Sequence, residues 1–345
     1  MEKLSKLDNR IFGIPTNLDS ILQRYRIAVE RAIGETDLIQ ESPLSREAMA
    51  VMQSGGKRLR PSLVLLTCEA VSGQYTTALP TAIAYELAHQ ASLVQDDVFD
   101  DSDLRHEKIT VHKRQGIVGA ILVSDLMIFE ILNQLAKYET TSLTKPKMAR
   151  LLNYIARAAN LTIKGEYLDA KLAGASSSMS EAQYLEVASL KTGALLAATT
   201  ASGALVGGGS EKVVDSMYRF GENLGVAFQI KDDILDVSGD ASKLGKPVMK
   251  DLQNNAFNIV LIKAMETGDV FQRNAIHSML YKKWFASGDL EQIHDVLKEL
   301  KSIEHASKLA EKYTRSAREC LKVIRESPAK DRLLGLTYAL EMRQV

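Results

Sequence analysis

The sequence predicts an all-α protein, a single domain over residues 1–345 with ten or more helices. Two observations carry this. Apolar residues recur at helical spacing along most of the chain, and no stretch of useful length alternates as a half-buried strand does. Prolines are scarce, 7 in 345 residues, and most fall where a helix should start or stop. The breaks Gly174 to Ser178, Gly207 to Ser210 and Ser238 to Lys246 are short joints, unlike domain linkers.

The elements follow in order. Leu18 to Ile33 is an amphipathic helix. Ser42 to Gln53 comes next, with Ser42 as N-cap and Pro43 at the first helical position. After the turn GGKRLRP, residues 55–61, an apolar helix runs from Ser62 to Val71. Thr81 to Asp100 ends in a cluster of acids. Val118 to Lys137 and Lys147 to Lys171 are long helices. Ser180 to Leu205, Lys212 to Val237, Asn254 to Glu266 and Leu290 to Arg325 follow, and a short closing helix begins at Asp331.

Composition narrows the function. Hydrophobic residues make up 46% and charged residues 25%, enough for a sizeable buried core. Lys plus Arg equals Asp plus Glu at 43 each, which argues against a nucleic-acid binder. Only two cysteines occur, Cys68 and Cys320, so neither a disulfide framework nor a zinc pattern is expected. A cytoplasmic protein is expected. MEKLSKLDNR lacks the apolar segment of a secretory leader, and the uncharged run Thr192 to Ser210 is too weakly apolar for a membrane span.

The chemistry starts at Asp96, Asp97 and Asp100, a D-D-x-x-D pattern. On a helix, positions four apart share a face, so Asp96 and Asp100 concentrate negative charge. A hard divalent cation relieves that repulsion, and magnesium held by carboxylates plus substrate phosphates is the usual case. One such cluster alone reads as a solvated helix end. The spacing recurs at Asp232, Asp233 and Asp236, after another apolar stretch, which favours the metal. Lys57, Arg58 and Arg60 put three cations in a glycine-led turn suited to an anionic head group. His89 lies two helical turns before Asp96. Lys191 and Thr192 interrupt an apolar stretch, Gln229 stands one turn before Asp232, and Lys246 follows in LGKP.

GGKRLRP, the first acid cluster with a following Arg, the pair KT, then FQIKDDILD and LGKPVMKDL occur in this order. The chain from about Gly55 to Leu252 resembles the all-trans isoprenyl diphosphate synthases, or polyprenyl synthetases. The resemblance implies an isoprenoid-synthase-type helical bundle around a central cavity, commonly a homodimer, with no integral membrane segment. It implies magnesium on Asp96, Asp100, Asp232 and Asp236, with Asp97 and Asp233 in support. Arg105, Lys191 and Lys246 match residues that hold the allylic diphosphate. Lys57, Arg60 and His89 match those that hold isopentenyl diphosphate. Thr192 and Gln229 match polar groups near the developing cation.

The family usually carries R-R-G after the first cluster. Here that triplet is Arg105, His106 and Glu107, so one isopentenyl anchor is a histidine. Lys108, Lys113 and Arg114 are the alternative cations nearby. Retention of Lys57, Arg60 and His89 favours a chain-elongating transferase. A cyclase or lyase on the same fold, a transferase with another acceptor, and a non-catalytic subunit are the other readings. Product length is read from the helix below the cluster. Where the family places a bulky floor five residues before the first Asp, this chain has Ala91, with Ser92 and Ala88 also small and Tyr85 the first bulky residue. Six residues of helix rise about 9 Å and a five-carbon unit spans about 5 Å, so the product is expected near 25 to 30 carbons, with 25 favoured.

Overall fold

The computed structural model describes residues 17–36, 42–140, 143–173, 179–238, 258–280 and 288–342. Helix α1 (Leu18–Ile33) starts at Asn17, whose side chain accepts the Ser20 N–H. Helix α2 (Pro43–Met52) starts at Ser42 in the same way, with Pro43 where its missing N–H is harmless. Helix α3 (Leu59–Ser72) has no side-chain cap; it is entered through Arg58, in the left-handed region at φ 48°. Leu63, Val64, Leu65 and Leu66 on α3 are all fully buried, so this helix is core on every side.

A 3-10 turn (Thr76–Ala78) leads into α4 (Leu79–Phe99). A two-stranded hairpin follows, β1 (Leu104–Arg105) against β2 (Lys108–Ile109). Helix α5 (Val111–Ala136) breaks its helical dihedrals once, at Gly116 with φ 73°. Next come α6 (Lys145–Ala173) and α7 (Glu181–Ala188), the latter opened by a capping box between Ser180 and Gln183. A π-helical turn (Ser189–Gly193) joins α7 to α8 (Ala194–Val206), and α9 (Glu211–Ser238) follows. The remaining helices are α10 (Ile259–Thr267), α11 (Val270–Leu280), α12 (Asp289–Glu299), α13 (Ser302–Cys320) and α14 (Pro328–Met342).

The chain forms two compact units. The first comprises Met1–Ala156, Ala198–Tyr218 and Val323–Leu336; the second comprises Arg157–Ala197, Arg219–Lys322 and Thr337–Val345. In the first unit α4 packs along α5 and against α3, while α1 packs on α3 and α2 on α5. In the second, α10 is the centre, with Ile259, Val260, Leu261 and Ile262 buried against residues of α9, α12 and α13.

Some expectations are corrected. The helix expected from Ser180 to Leu205 is interrupted by the π turn, whose signature is in its hydrogen bonds and leaves no mark on apolar spacing. Leu290 to Arg325 is two helices, α12 and α13, separated at Lys301 with φ 54°. Helix α11 is an addition to the expected set, and so is the hairpin, whose strands are too short for any alternation to show. Residues 254–257 of the expected Asn254 to Glu266 helix lie outside the described residues.

By length and composition α5 could cross a membrane, which the run 192–210 could not. One side of α5 buries Ser124, Glu130 and Gln134, and Glu130 accepts from both Asn133 and Gln134. The other side exposes Ile121, Leu122, Phe129 and Leu132, with the charged Asp125 among them.

Candidate active site

In the first unit the three aspartates of α4 separate by environment. Asp96 is half-buried, Asp100 exposed, and Asp97 only 4% exposed. Asp97 Oδ1 accepts from Arg105 Nε at 2.8 Å and lies 2.7 Å from Nη2. This middle aspartate therefore holds the Arg105 guanidinium. A pocket of about 230 Å³ lies beside the pair, lined by Val51, Ser54, Gln90, Val94, Arg105 and Lys108 among others.

Arg105 and Lys108 are cross-strand partners, so His106 and Glu107 form a two-residue turn with φ 49° and 64°. Positive φ at both central positions is the type I′ turn, in which glycine is preferred at the second. Glu107 thus holds a backbone conformation costly for a side chain, which explains a glycine habit at this position. The turn presents His106 towards GGKRLRP: a side chain added at Gly56 would meet His106 Nε2 at 3.8 Å. Two of the neighbouring cations are committed, while Lys108 lines the pocket. Lys113 pairs with Asp101 at 2.7 Å and Asp103 at 3.1 Å, and Arg114 pairs with Glu47 at 2.7 Å.

Of the three cations in GGKRLRP, one is turned into the core. The Arg58 side chain is fully buried, its Nε 2.7 Å from Glu30 and its Nη1 2.5 Å from Glu86, and it also donates to the Met52 carbonyl. It fastens the loop to α1, α2 and α4. Lys57 is exposed. Arg60 Nη1 donates to His89 Nε2 at 2.9 Å. Since a guanidinium only donates, His89 must accept at Nε2 and carry its proton on Nδ1. Burial first, then the nearby Arg60, Arg105, Arg58 and His106, hold the His89 pKa well below its ordinary value, so the ring is neutral. Burial also lowers the Arg60 pKa, against the opposing pull of Glu86 and Asp96. Arg60 Nε is buried with no hydrogen-bond partner among the described residues.

In the second unit the same sorting recurs. Asp232 and Asp236 are half-buried and Asp233 is 4% exposed. Asp233 Oδ1 accepts from Gln229 Nε2 at 3.0 Å, and Oδ2 accepts the Ile259 N–H at 3.0 Å. Gln229 Oε1 in turn accepts from the Thr192 hydroxyl at 3.0 Å. Thr192 lies in the π turn. Helix α9 reaches it through Gly225, where an added Cβ would come within 2.7 Å of Gly193 Cα. Lys191 lies 2.6 Å from Asp169 and 2.9 Å from Glu166. Burial lowers the Lys191 pKa, but these carboxylates outweigh it and hold the ammonium above its ordinary value. Lys246 lies outside the described residues. Sequence reasoning missed Glu86, Glu166 and Asp169. The one signal was Gly165, a mid-helix glycine whose added Cβ would strike Lys191 N at 2.8 Å.

Among the described residues no three His, Cys, Asp or Glu side chains converge as a metal cage. Magnesium rarely uses an all-protein cage; it takes one or two carboxylates and fills its octahedron with water and phosphate oxygens. Pairs of outer aspartates with solvent access fit that requirement.

A family model described as polyprenyl synthetase matches residues 41–297. The chain belongs to the polyprenyl synthetase family. It is a prenyltransferase of the chain-elongating kind. A short chain isoprenyl diphosphate synthase of Methanothermobacter thermautotrophicus is 32% identical over 91% of this chain and 94% of its own length. A geranylgeranyl diphosphate synthase of Methanosarcina mazei is 30% identical over 92% of this chain and 95% of its own. The geranylgeranyl pyrophosphate synthetase of Pyrococcus horikoshii Ot3 superposes with a TM-score of 0.85 at 31% identity, covering 95% of this chain and 98% of that one. The all-α isoprenoid-synthase fold expected from the sequence is the fold observed.

Proposed function

We propose that this polyprenyl synthetase condenses isopentenyl diphosphate with an allylic diphosphate and releases a product of about 20 to 30 carbons, with 25 fitting best. The observation that supports it most is the parallel sorting of both acid clusters. The outer aspartates keep solvent access, and the middle ones, Asp97 and Asp233, are spent on orienting Arg105 and Gln229.

Magnesium, held by Asp96, Asp100, Asp232 and Asp236 with diphosphate oxygens and water, would neutralise the leaving diphosphate. Arg105, aimed by Asp97, and Lys246 hold the allylic diphosphate beside it. Lys191 has three donors, so it can keep Asp169 and turn another towards a phosphate oxygen. Lys57, Arg60, His89 and His106 hold isopentenyl diphosphate, the unpartnered Arg60 Nε supplying one contact. Thr192 and Gln229 face the carbon that becomes positive. The double bond of isopentenyl diphosphate attacks that carbon, and the proton lost goes to the departing diphosphate.

We read the two units as one catalytic domain acting in the cytoplasm as a homodimer. Both cysteines are free, as a reducing compartment keeps them. The exposed apolar side of α5 is the face offered to a second copy, since a soluble monomer rarely leaves such a patch bare.

The His106 anchor gives a direct test. An arginine offers a fixed bidentate charge that histidine lacks, worth about 1.5–3 kcal/mol. His106→Arg should lower the KM for isopentenyl diphosphate by about ten- to a hundredfold, leaving the allylic KM unchanged in steady-state assays. If neither constant moves, the turn does not touch this substrate.

Product length gives another. Tyr85 is fully buried, and its hydroxyl lies 2.8 Å from Ser202 on α8, so it is a pinned floor. Above it Ala88 and Ser92 are half-buried, and Ala91 is 2% exposed. Chromatography of the products should show Ala91→Phe shortening the main product to about 15 or 20 carbons and Tyr85→Ala lengthening it. An active Ala91→Phe variant with an unchanged product would place the tail elsewhere.

A further inference from the structure

The second unit contains a chain of hydrogen bonds whose direction is fixed at one end. Asp233 Oδ1 accepts from Gln229 Nε2, so the Gln229 amide turns its NH2 towards Asp233. Gln229 Oε1 therefore faces Thr192, and being an acceptor it requires the Thr192 hydroxyl proton to point at it. The Thr192 oxygen then offers only lone pairs to whatever lies on its other side. A hydroxyl in that state cannot donate to a diphosphate oxygen, but it stabilises an adjacent positive carbon. The far end is fixed as well. Asp233 Oδ2 accepts the first N–H of α10, one of the donors a helix start leaves unpaired, so the carboxylate cannot rotate without orphaning it.

We infer that Asp233 is a positioning residue: it sets the amide orientation of Gln229 and thereby keeps the Thr192 hydroxyl acceptor-only towards the developing allylic cation. This rests on the prenyltransferase reading above and adds a role the spacing of the acid cluster does not contain. It separates Asp233 from Asp232 and Asp236, which the same motif groups with it.

Asp233→Asn tests it with a near-isosteric change. The Ile259 N–H still demands an acceptor, so the carbonyl of the introduced amide takes that side and its NH2 faces Gln229. The Gln229 amide then flips and its NH2 donates to Thr192, whose proton turns outward towards the cation. Turnover should fall about a hundredfold, with both diphosphate KM values and the magnesium concentration for half-maximal rate within about twofold of wild type. Adding Gln229→Glu restores an acceptor facing Thr192, while the introduced amide at position 233 donates to the new carboxylate. The pair carries the same net charge as before. The double variant should regain about tenfold in kcat over Asp233→Asn alone. Thermal unfolding in EDTA tests whether the variants differ in stability rather than chemistry.

Three results would overturn the inference. One is a rise in the magnesium requirement of Asp233→Asn, which makes Asp233 a metal ligand. Another is no gain in the double variant while its unfolding midpoint matches wild type. The third is an unchanged kcat in Asp233→Asn. If wild-type protein fails to consume isopentenyl diphosphate at all, the functional reading has failed instead.

Discussion

Replacing Asp232 or Asp96 by alanine should reduce turnover by about a thousandfold or more. Diphosphate leaves an allylic carbon only when its growing charge is neutralised, and about 4 kcal/mol of lost transition-state stabilisation corresponds to that factor. The effect should be in kcat and should persist at saturating substrate, because the charge being stabilised appears only as the bond breaks. Both residues keep solvent access, so neither substitution removes buried apolar packing. Single-turnover rates with magnesium present measure this. Near-normal rates in either variant would mean that the outer aspartates are not the metal ligands.

Arg58→Ala should be the most destabilising single change in the first unit. The side chain is fully buried, and Glu86, at 2% side-chain exposure, relies on it for charge compensation. Removing one partner of a buried pair leaves an uncompensated charge and costs about 3–5 kcal/mol, a large share of a typical folding free energy. Arg58 also ties GGKRLRP to α1 and the end of α2, so the loop carrying Lys57 and Arg60 should loosen as well. The expected outcome is a drop in thermal midpoint together with a raised KM for isopentenyl diphosphate. Adding Glu86→Leu should return part of the midpoint, since the stranded charge is gone, though the Gln90 amide loses its acceptor. An Arg58→Ala protein as stable as wild type would show that the pairing is not maintained in solution.

The outer aspartates behind the first prediction were legible in the sequence, because spacing of four on a helix leaves a pattern in the chain itself. The cap at Ser42 was legible for the same local reason. The fate of Arg58 was not. It sits two residues from Arg60 in an irregular loop, and only its left-handed backbone turns one guanidinium inward and leaves the other beside His89. The inward roles of Asp97 and Asp233 depend on partners eight and twenty-six residues away, Arg105 and Ile259. Glu166 and Asp169 look in sequence like any wet helix face, and only the approach of the π turn makes them neighbours of Lys191. The hairpin has two residues per strand, too few for any period to show, yet it decides where His106 points.

One incubation decides whether this chain elongates an allylic diphosphate with isopentenyl diphosphate. Purified protein is given magnesium and a short allylic diphosphate, with and without isopentenyl diphosphate, and the products are separated by chain length. Longer diphosphates, peaking near 25 carbons, should form only when isopentenyl diphosphate is present, with no turnover in EDTA. A hydrocarbon released from the allylic substrate alone, with no lengthened diphosphate in the paired sample, would contradict this expectation.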